Sequence, residues 1–110
     1  MKLSEIISGL GLEVISPGKR DVEVAHGYAS DLLSDVIANA GKDYIWVTMQ
    51  THVNVIAVAS LKDIAAVVVV GGRKLEEATV EVARTKGVCV LGTKLSAFDV
   101  TGKLYASGLT

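Results

Sequence analysis

The segment AAVVVVGG, at residues 65–72, is an unbroken apolar run that ends in two glycines. A run of β-branched residues of this kind is typical of a strand that is covered on both faces of a sheet. The stretch from Leu75 to Lys86 follows with the spacing of an amphipathic helix, and Gly87 ends it. This part of the chain therefore predicts one strand–turn–helix unit of a parallel sheet.

Three other segments repeat this organisation. VEVAHGYAS (22–30), YIWVTMQTHVN (44–54) and VCVLGTKLS (88–96) each place a short apolar strand before a small polar turn. The units share no motif beyond strand, turn and helix, which argues against a solenoid. We predict an α/β fold of three α/β/α layers, with a mostly parallel sheet of about five strands. An early strand over Leu12–Ile15 is expected to pair antiparallel at an edge.

The bounds of the elements follow from apolar spacing and from residues that begin or end helices. Ser4, Thr51 and Ser96 are candidate helix caps, and either Ser30 or Asp31 caps a further helix. Strands are predicted over Leu12–Ile15, Val22–His26, Tyr44–Met49, Ala66–Val70 and Val88–Leu91. Helices are predicted over Met1–Gly9, Leu32–Ala40, Val53–Leu61, Leu75–Lys86 and from Ser96 to about Ser107.

Composition excludes several classes of protein. A chain of 110 residues is one domain, and its net charge of −1 and few aromatic residues give no basis for binding nucleic acid. The single Cys89 excludes an internal disulfide and fits a reducing cytoplasm, where we expect the protein. The stretch from Tyr44 to Leu61 lacks charge, but its polar middle argues against a membrane span. Glu5 argues against a signal peptide.

The segment VNVIAVASL, at residues 53–61, predicts a helix that has no charged face. A helix that is apolar all round must be covered on all sides, which is difficult for one small domain. We therefore expect a homodimer or higher homo-oligomer that buries this helix.

Gly71 and Gly72 follow a strand and precede a helix, where glycine lets backbone N–H groups turn toward a ligand. The alternative is a tight turn with no ligand. No G-x-G-x-x-G motif is present, and GVCVLGTK at residues 87–94 ends in Gly-Thr-Lys and straddles a strand. These features exclude a dinucleotide fingerprint and a P-loop kinase.

Other polar side chains are expected at the same edge of the sheet. Thr93, Lys94 and Ser96 can hold an anion, or they can serve as a helix cap and a solvated lysine. His52 as a general base would need a partner carboxylate or nucleophile, and none is evident. No metal and no cofactor are implied. The candidate ligand-binding residues are Ser30, Asp31, Gln50, Thr51, His52, Asn54, Gly71, Gly72, Arg73, Thr93, Lys94 and Ser96.

Taken together, these turns resemble the DRTGG domain family, which is similar to the N-terminal domain of HPr kinase/phosphorylase and has a fold related to the N-domain of the Mur ligases. The resemblance covers nearly the whole chain and rests on VVGG (69–72), the helix after it, and VCVLGTKLSAF (88–98). GYASDLLSDVIANA (27–40) and QTHVN (50–54) look like a subgroup of small stand-alone members. Val70 stands where the family has threonine before the two glycines.

In longer proteins such domains resemble accessory modules beside CBS domains, in some pyrophosphatases and phosphate acetyltransferases. The kinase portion of HPr kinase has no counterpart in this chain. The resemblance therefore implies a regulatory or ligand-sensing module rather than a kinase. We expect a non-catalytic domain that homodimerises and senses a nucleotide or other anionic metabolite, or docks a partner enzyme. The alternatives are a small enzyme that uses His52 with Asp31 or Lys94, and a purely structural subunit.

Overall fold

The computed structural model describes residues 1–19 and 21–110. This part of the chain forms five strands and five helices: an initial helix and strand are followed by four strands that alternate with four helices. The strands are β1 (Glu13–Ser16), β2 (Gly27–Ala29), β3 (Ile45–Thr48), β4 (Ala66–Val69) and β5 (Val90–Gly92). The helices are α1 (Leu3–Leu10), α2 (Leu33–Asn39), α3 (Asn54–Leu61), α4 (Glu77–Lys86) and α5 (Ala97–Ala106).

The strands form one sheet in the order β1-β5-β4-β3-β2. β2 to β5 are parallel, and β1 pairs antiparallel with β5 at the edge, with an irregularity between Val14 and Ser16. The predicted α/β fold with a mostly parallel five-stranded sheet and an antiparallel edge strand is confirmed. β4 lies at the centre and is buried on both faces, as its unbroken apolar run predicts.

Two apolar clusters cover the two faces of the sheet. One packs α1 and α5 against alternate strand residues such as Ile45, Val68 and Leu91. The other packs α2, α3 and α4 against the intervening residues, such as Trp46 and Val67. The connections from β2 to β5 all cross on this second face, because β2 to β5 follow each other in order across the sheet.

The strand predicted over Val22–His26 is displaced toward the C-terminus, because β2 comprises Gly27–Ala29. The apolar alternation there has another cause: Val22 and Val24 hydrogen-bond through their backbones to Leu3 and Met1. This segment therefore pairs with the start of the chain, and Val24 enters the core beside α1. Pairing with β3 begins only at Gly27.

The uncharged helix α3 is covered largely by its own domain. Val55, Ile56, Val58 and Ala59 are buried, and they pack with residues of α2, α4 and the sheet. Ala57 and Leu61 remain exposed on the outer side of the helix. The expectation that a second copy is needed to cover α3 was therefore wrong, since the flanking helices bury it.

Three of the four predicted helix caps do not cap, and one does. Helix α2 begins after Leu32, with no side-chain cap from Ser30 or Asp31. Ser4 bonds to the Asp21 carboxylate from within α1, and the residue before α3 is Val53 rather than Thr51. Ser96 accepts a hydrogen bond from the backbone N–H of Asp99 and begins α5 as predicted.

Thr79 ties α4 to the turn after β3. Its side chain is fully buried, and its hydroxyl donates to the backbone oxygen of Thr51 at 2.9 Å. This bond fixes the N-terminal part of α4 beside the turn that follows β3.

Replacing Thr79 by valine should lower the free energy of unfolding by about 1–3 kcal/mol, because the carbonyl of Thr51 loses its donor at nearly constant side-chain volume. Thr101→Val is the matched control, since Thr101 bonds only within α5 and is partly exposed. Urea denaturation followed by circular dichroism measures both variants. Equal losses for the two variants would contradict a tertiary role for Thr79.

Candidate functional site

A crevice lies where the chain leaves the carboxyl ends of β4 and β5. The chain leaves β4 toward α4 on one face, whereas it leaves β5 toward α5 on the opposite face. In open α/β sheets, the place where adjacent connections diverge in this way is the usual position of a ligand site.

The two turns at this crevice are joined by their backbones. Gly71 and Gly72 both have positive φ angles, of 74° and 67°, which glycine adopts without a steric penalty. Their N–H groups donate to the carbonyl oxygens of Leu95 at 2.7 Å and Thr93 at 2.8 Å. The two N–H groups expected to face a ligand are therefore engaged within the protein. The glycines instead hold the second turn in place.

A groove of about 1360 Å³ opens beside these turns, toward the edge strand β1. Its walls come from the end of α1, from β1, from α4, and from the turns after β4 and β5. The groove carries five basic side chains and three acidic ones. The basic residues are Arg73, Lys74, Arg84, Lys94 and Lys103, and the acidic residues are Glu13, Glu77 and Glu81.

The basic side chains of the groove are not neutralised by close carboxylates. Within residues 1–19 and 21–110, the ion pair closer than 4 Å joins the amino group of Met1 to Glu23, far from the groove. Arg84 donates to the backbone oxygen of Ile15 at 3.2 Å, which fixes its guanidinium against β1. The groove therefore combines unpaired positive charge with an apolar wall that includes Leu10, Leu75 and Val80.

The turns after β2 and β3 form a separate polar network. The Asp31 carboxylate accepts from the Thr48 hydroxyl at 2.8 Å and from the Met49 N–H at 2.7 Å. The Gln50 side chain donates to the Asp31 carbonyl oxygen, and the Trp46 indole donates to that of Ser30. These polar groups connect the ends of β2 and β3.

His52 and its neighbours form local contacts at the start of α3. The Nδ1 atom of His52 accepts from the backbone N–H of Asn54 at 3.1 Å, so it stabilises the start of α3. Its side chain is exposed, and the carbonyl of Thr51 accepts from Thr79. No cluster of three or more His, Cys, Asp or Glu residues suited to a metal ion occurs among residues 1–19 and 21–110.

The candidate residues thus fall into two groups. Gly72, Arg73, Thr93 and Lys94 line the groove. The turns after β2 and β3 lie three and two strands away from β5, which corresponds to roughly 14 Å and 10 Å at the usual strand spacing. The structure therefore does not bring Ser30, Asp31, Gln50, Thr51, His52 and Asn54 into the groove, and Ser96 serves as the cap of α5.

The groove also contains residues that sequence reasoning missed. Lys74, Arg84 and Lys103 add charge, and Gly9 to Glu13 supply part of a wall. These residues meet because β1 lies beside β5, although the two strands are far apart in sequence. The only signal in the sequence was the expectation that β1 occupies an edge.

Hydroxyl groups around Asp35 lower the pKa of its carboxyl group. Ser30 contributes most, followed by Tyr28, whose hydroxyl lies 2.9 Å from both carboxylate oxygens. The same contact raises the pKa of Tyr28. Burial raises the pKa of the Cys89 thiol, which agrees with an inert cysteine in the core.

Asp31→Ala should lower the free energy of unfolding by roughly 1–2 kcal/mol, because two hydrogen bonds to a carboxylate are lost at the ends of β2 and β3. Asn54→Ala, in the neighbouring turn, should change it by less than about 0.5 kcal/mol. Chemical denaturation of both variants measures the difference. An undiminished stability of Asp31→Ala would show that the network is not structural.

The Asp35 pKa should rise toward its ordinary value in Ser30→Ala, and by a smaller amount in Tyr28→Phe. Because the native state holds this proton less tightly than the unfolded chain, the contact stabilises the fold above the ordinary carboxyl pKa, and the stabilisation is lost as the pH falls through the lowered pKa. A carboxyl-carbon NMR titration follows the group directly. A wild-type Asp35 pKa at or above the ordinary value would contradict this account.

No protein-family model matches the chain, and no curated protein matches it. Among solved structures, the chain is similar to the CBS and DRTGG domains of the regulatory region of Clostridium perfringens pyrophosphatase, complexed with the activator diadenosine tetraphosphate. The TM-score is 0.76 and the identity 16%, and the match covers 91% of this chain and 44% of that one. The predicted DRTGG-like domain is thereby confirmed at the level of the fold.

No helix in the described parts of the chain has the length and apolar character needed to cross a membrane.

Proposed function

We propose that this protein is a non-catalytic regulatory domain that binds a nucleotide or another anionic metabolite in the groove beside β4 and β5. The observation that carries the proposal is the convergence of Arg73, Lys94 and Arg84 on one groove at the point where the connections to α4 and α5 diverge. Unpaired positive charge at such a point favours a ligand with phosphate or carboxylate groups.

The two kinds of wall suit the two parts of a nucleotide. The basic residues lie at the turns, on α4 and on α5, whereas Leu10, Leu75 and Val80 offer an apolar surface to a base. The groove exceeds the usual range of small-molecule pockets, roughly 300–1,000 Å³, so it has room for a ligand larger than a simple anion.

The similar pyrophosphatase region supports a regulatory role. It is a regulatory region, and its crystal structure contains a nucleotide activator. By analogy of fold, we propose that ligand binding here regulates a partner enzyme that the domain docks. We also propose that the domain forms a homodimer, although the burial of α3 no longer supplies the reason.

Ligand binding can be tested by thermal unfolding in the presence of ATP, ADP, diadenosine tetraphosphate and inorganic pyrophosphate. A ligand present at 100 times its dissociation constant should stabilise the fold by about 2.7 kcal/mol. Lys94→Gln and Arg73→Gln should each weaken binding by roughly 10- to 100-fold, because each removes a hydrogen bond from a charged donor.

Lys42→Gln is the matched control. It also removes one positive charge, but Lys42 lies near the amino ends of the strands, away from the groove. His52→Ala should leave binding unchanged. An unchanged affinity of the Lys94 and Arg73 variants, or loss of binding in His52→Ala, would contradict the proposed site. The absence of stabilisation by any of these ligands would favour a purely structural subunit.

The alternative of a small enzyme depends on His52. Its Nδ1 atom accepts a backbone N–H bond, and the side chains of Asp31 and Gln50 are engaged in the network between β2 and β3. The proposal of a regulatory domain is therefore preferred, and turnover of the added nucleotides by the wild-type protein would overturn it.

A further inference from the structure

The outer side of α5 carries an aromatic stripe that its own domain leaves uncovered. Phe98 is 86% exposed and Tyr105 is 70% exposed, which makes them the two most exposed large apolar side chains in the described chain. They lie seven residues apart, so they point to the same side of the helix. Gly102 lies between them, and Val100 and Leu104 face the core.

Gly102 has no explanation within the single domain. A Cβ atom added there would meet nothing within 4 Å, and its φ angle does not require glycine. Glycine is less favourable than alanine inside a helix. Because glycine has no side chain, Gly102 would let the backbone of a second helix approach closely between the two exposed aromatic rings.

We infer that α5 is the homodimer interface, and that it packs antiparallel against α5 of a second copy about a two-fold axis near Gly102. The inference rests on the homodimer that forms part of the proposed function, and it names the surface. Exposed aromatic anchors on one helix face are the residues that dominate association in protein interfaces.

The surface is self-complementary under that symmetry. Antiparallel pairing centred between Thr101 and Gly102 places Phe98 of one copy opposite Tyr105 of the other, and the reverse pair forms by symmetry. On the other side of Gly102, the same operation brings Asp99 close to Lys103 of the second copy. Aromatic rings therefore meet aromatic rings, and opposite charges meet each other.

The outer face of α2 and α3 is the competing surface for a second copy. It exposes Leu32 at the start of α2, together with Ile37 and Leu61, but it offers no aromatic anchor. No pair of opposite charges lies there either, since the exposed residues of these two helices are uncharged. Under a two-fold axis, α5 therefore offers aromatic anchors and matched charge, which the competing face lacks.

The test is sedimentation equilibrium of the wild-type chain and of single variants over a wide range of protein concentration. Phe98→Ser and Tyr105→Ser should each raise the dimer dissociation constant at least tenfold. Leu61→Ser is the matched control on the competing face and should leave that constant unchanged. Each variant must retain the far-ultraviolet circular dichroism of the wild type.

Gly102→Ala separates an interface role from a folding role, because the two roles predict opposite results. The added methyl group should raise the thermal midpoint of the isolated subunit, yet it should weaken the dimer by holding the helices apart. Gly9→Ala, at another helix glycine with open space around it, should raise the midpoint without weakening the dimer.

A charge-reversal pair gives a second measurement if a serine variant fails to fold. Lys103→Asp should weaken the dimer by placing two carboxylates together, and adding Asp99→Lys should restore it. A wild-type chain that stays dimeric while the α5 variants have no effect would overturn this interface and leave the homodimer standing. A wild-type monomer at every concentration would overturn both. Because Lys103 also lines the groove, ligand binding is tested separately through Lys94 and Arg73.

Discussion

The structure depends on the burial of β4 on both of its faces. Ala66, Val67, Val68 and Val69 are almost wholly excluded from solvent, and each face of the strand packs into a different apolar cluster. A strand of this kind requires a layer of helices on each side of the sheet. Because α2, α3 and α4 occupy one side, α5 must cross to the other, where it joins α1. The divergence of α4 and α5 follows from this requirement.

That divergence creates the groove and also sets its chemistry. The turns after β4 and β5 are tied together by the N–H groups of Gly71 and Gly72, so the crevice has a rigid floor of backbone. The side chains of Arg73 and Lys94 extend from this floor, and Arg84 approaches from α4 with its guanidinium held by β1. The crevice thus exposes side-chain charge, whereas the backbone donors of its glycine turn are used internally.

The sequence predicted what depends on local pattern. The continuous valines of β4, the Ser96 cap and the edge position of β1 were all foreseen, since each follows from composition or spacing over a few residues. Contacts between segments that are distant in the chain could not be predicted from the sequence. Val22 and Val24 alternate because they pair with the start of the chain, and α3 lacks charge because α2 and α4 cover it.

The candidate site shows the same limit. Polar residues at the ends of β2 and β3 looked like ligand contacts, but Asp31, Gln50 and His52 bond to their own neighbours. A single sequence cannot distinguish a polar side chain that faces a ligand from one that satisfies the backbone of an adjacent turn. Only the sheet order shows that Arg84 and Lys103 reach the groove with Lys94.

The central claim is that anions bind at the ends of β4 and β5. Amide NMR spectra recorded during a titration with ATP, and separately with inorganic triphosphate, test it most directly. With both probes, the largest shifts are expected at Gly72, Arg73, Thr93 and Lys94. Shifts centred on Asp31, Gln50 and His52, or no shift with either probe, would contradict it.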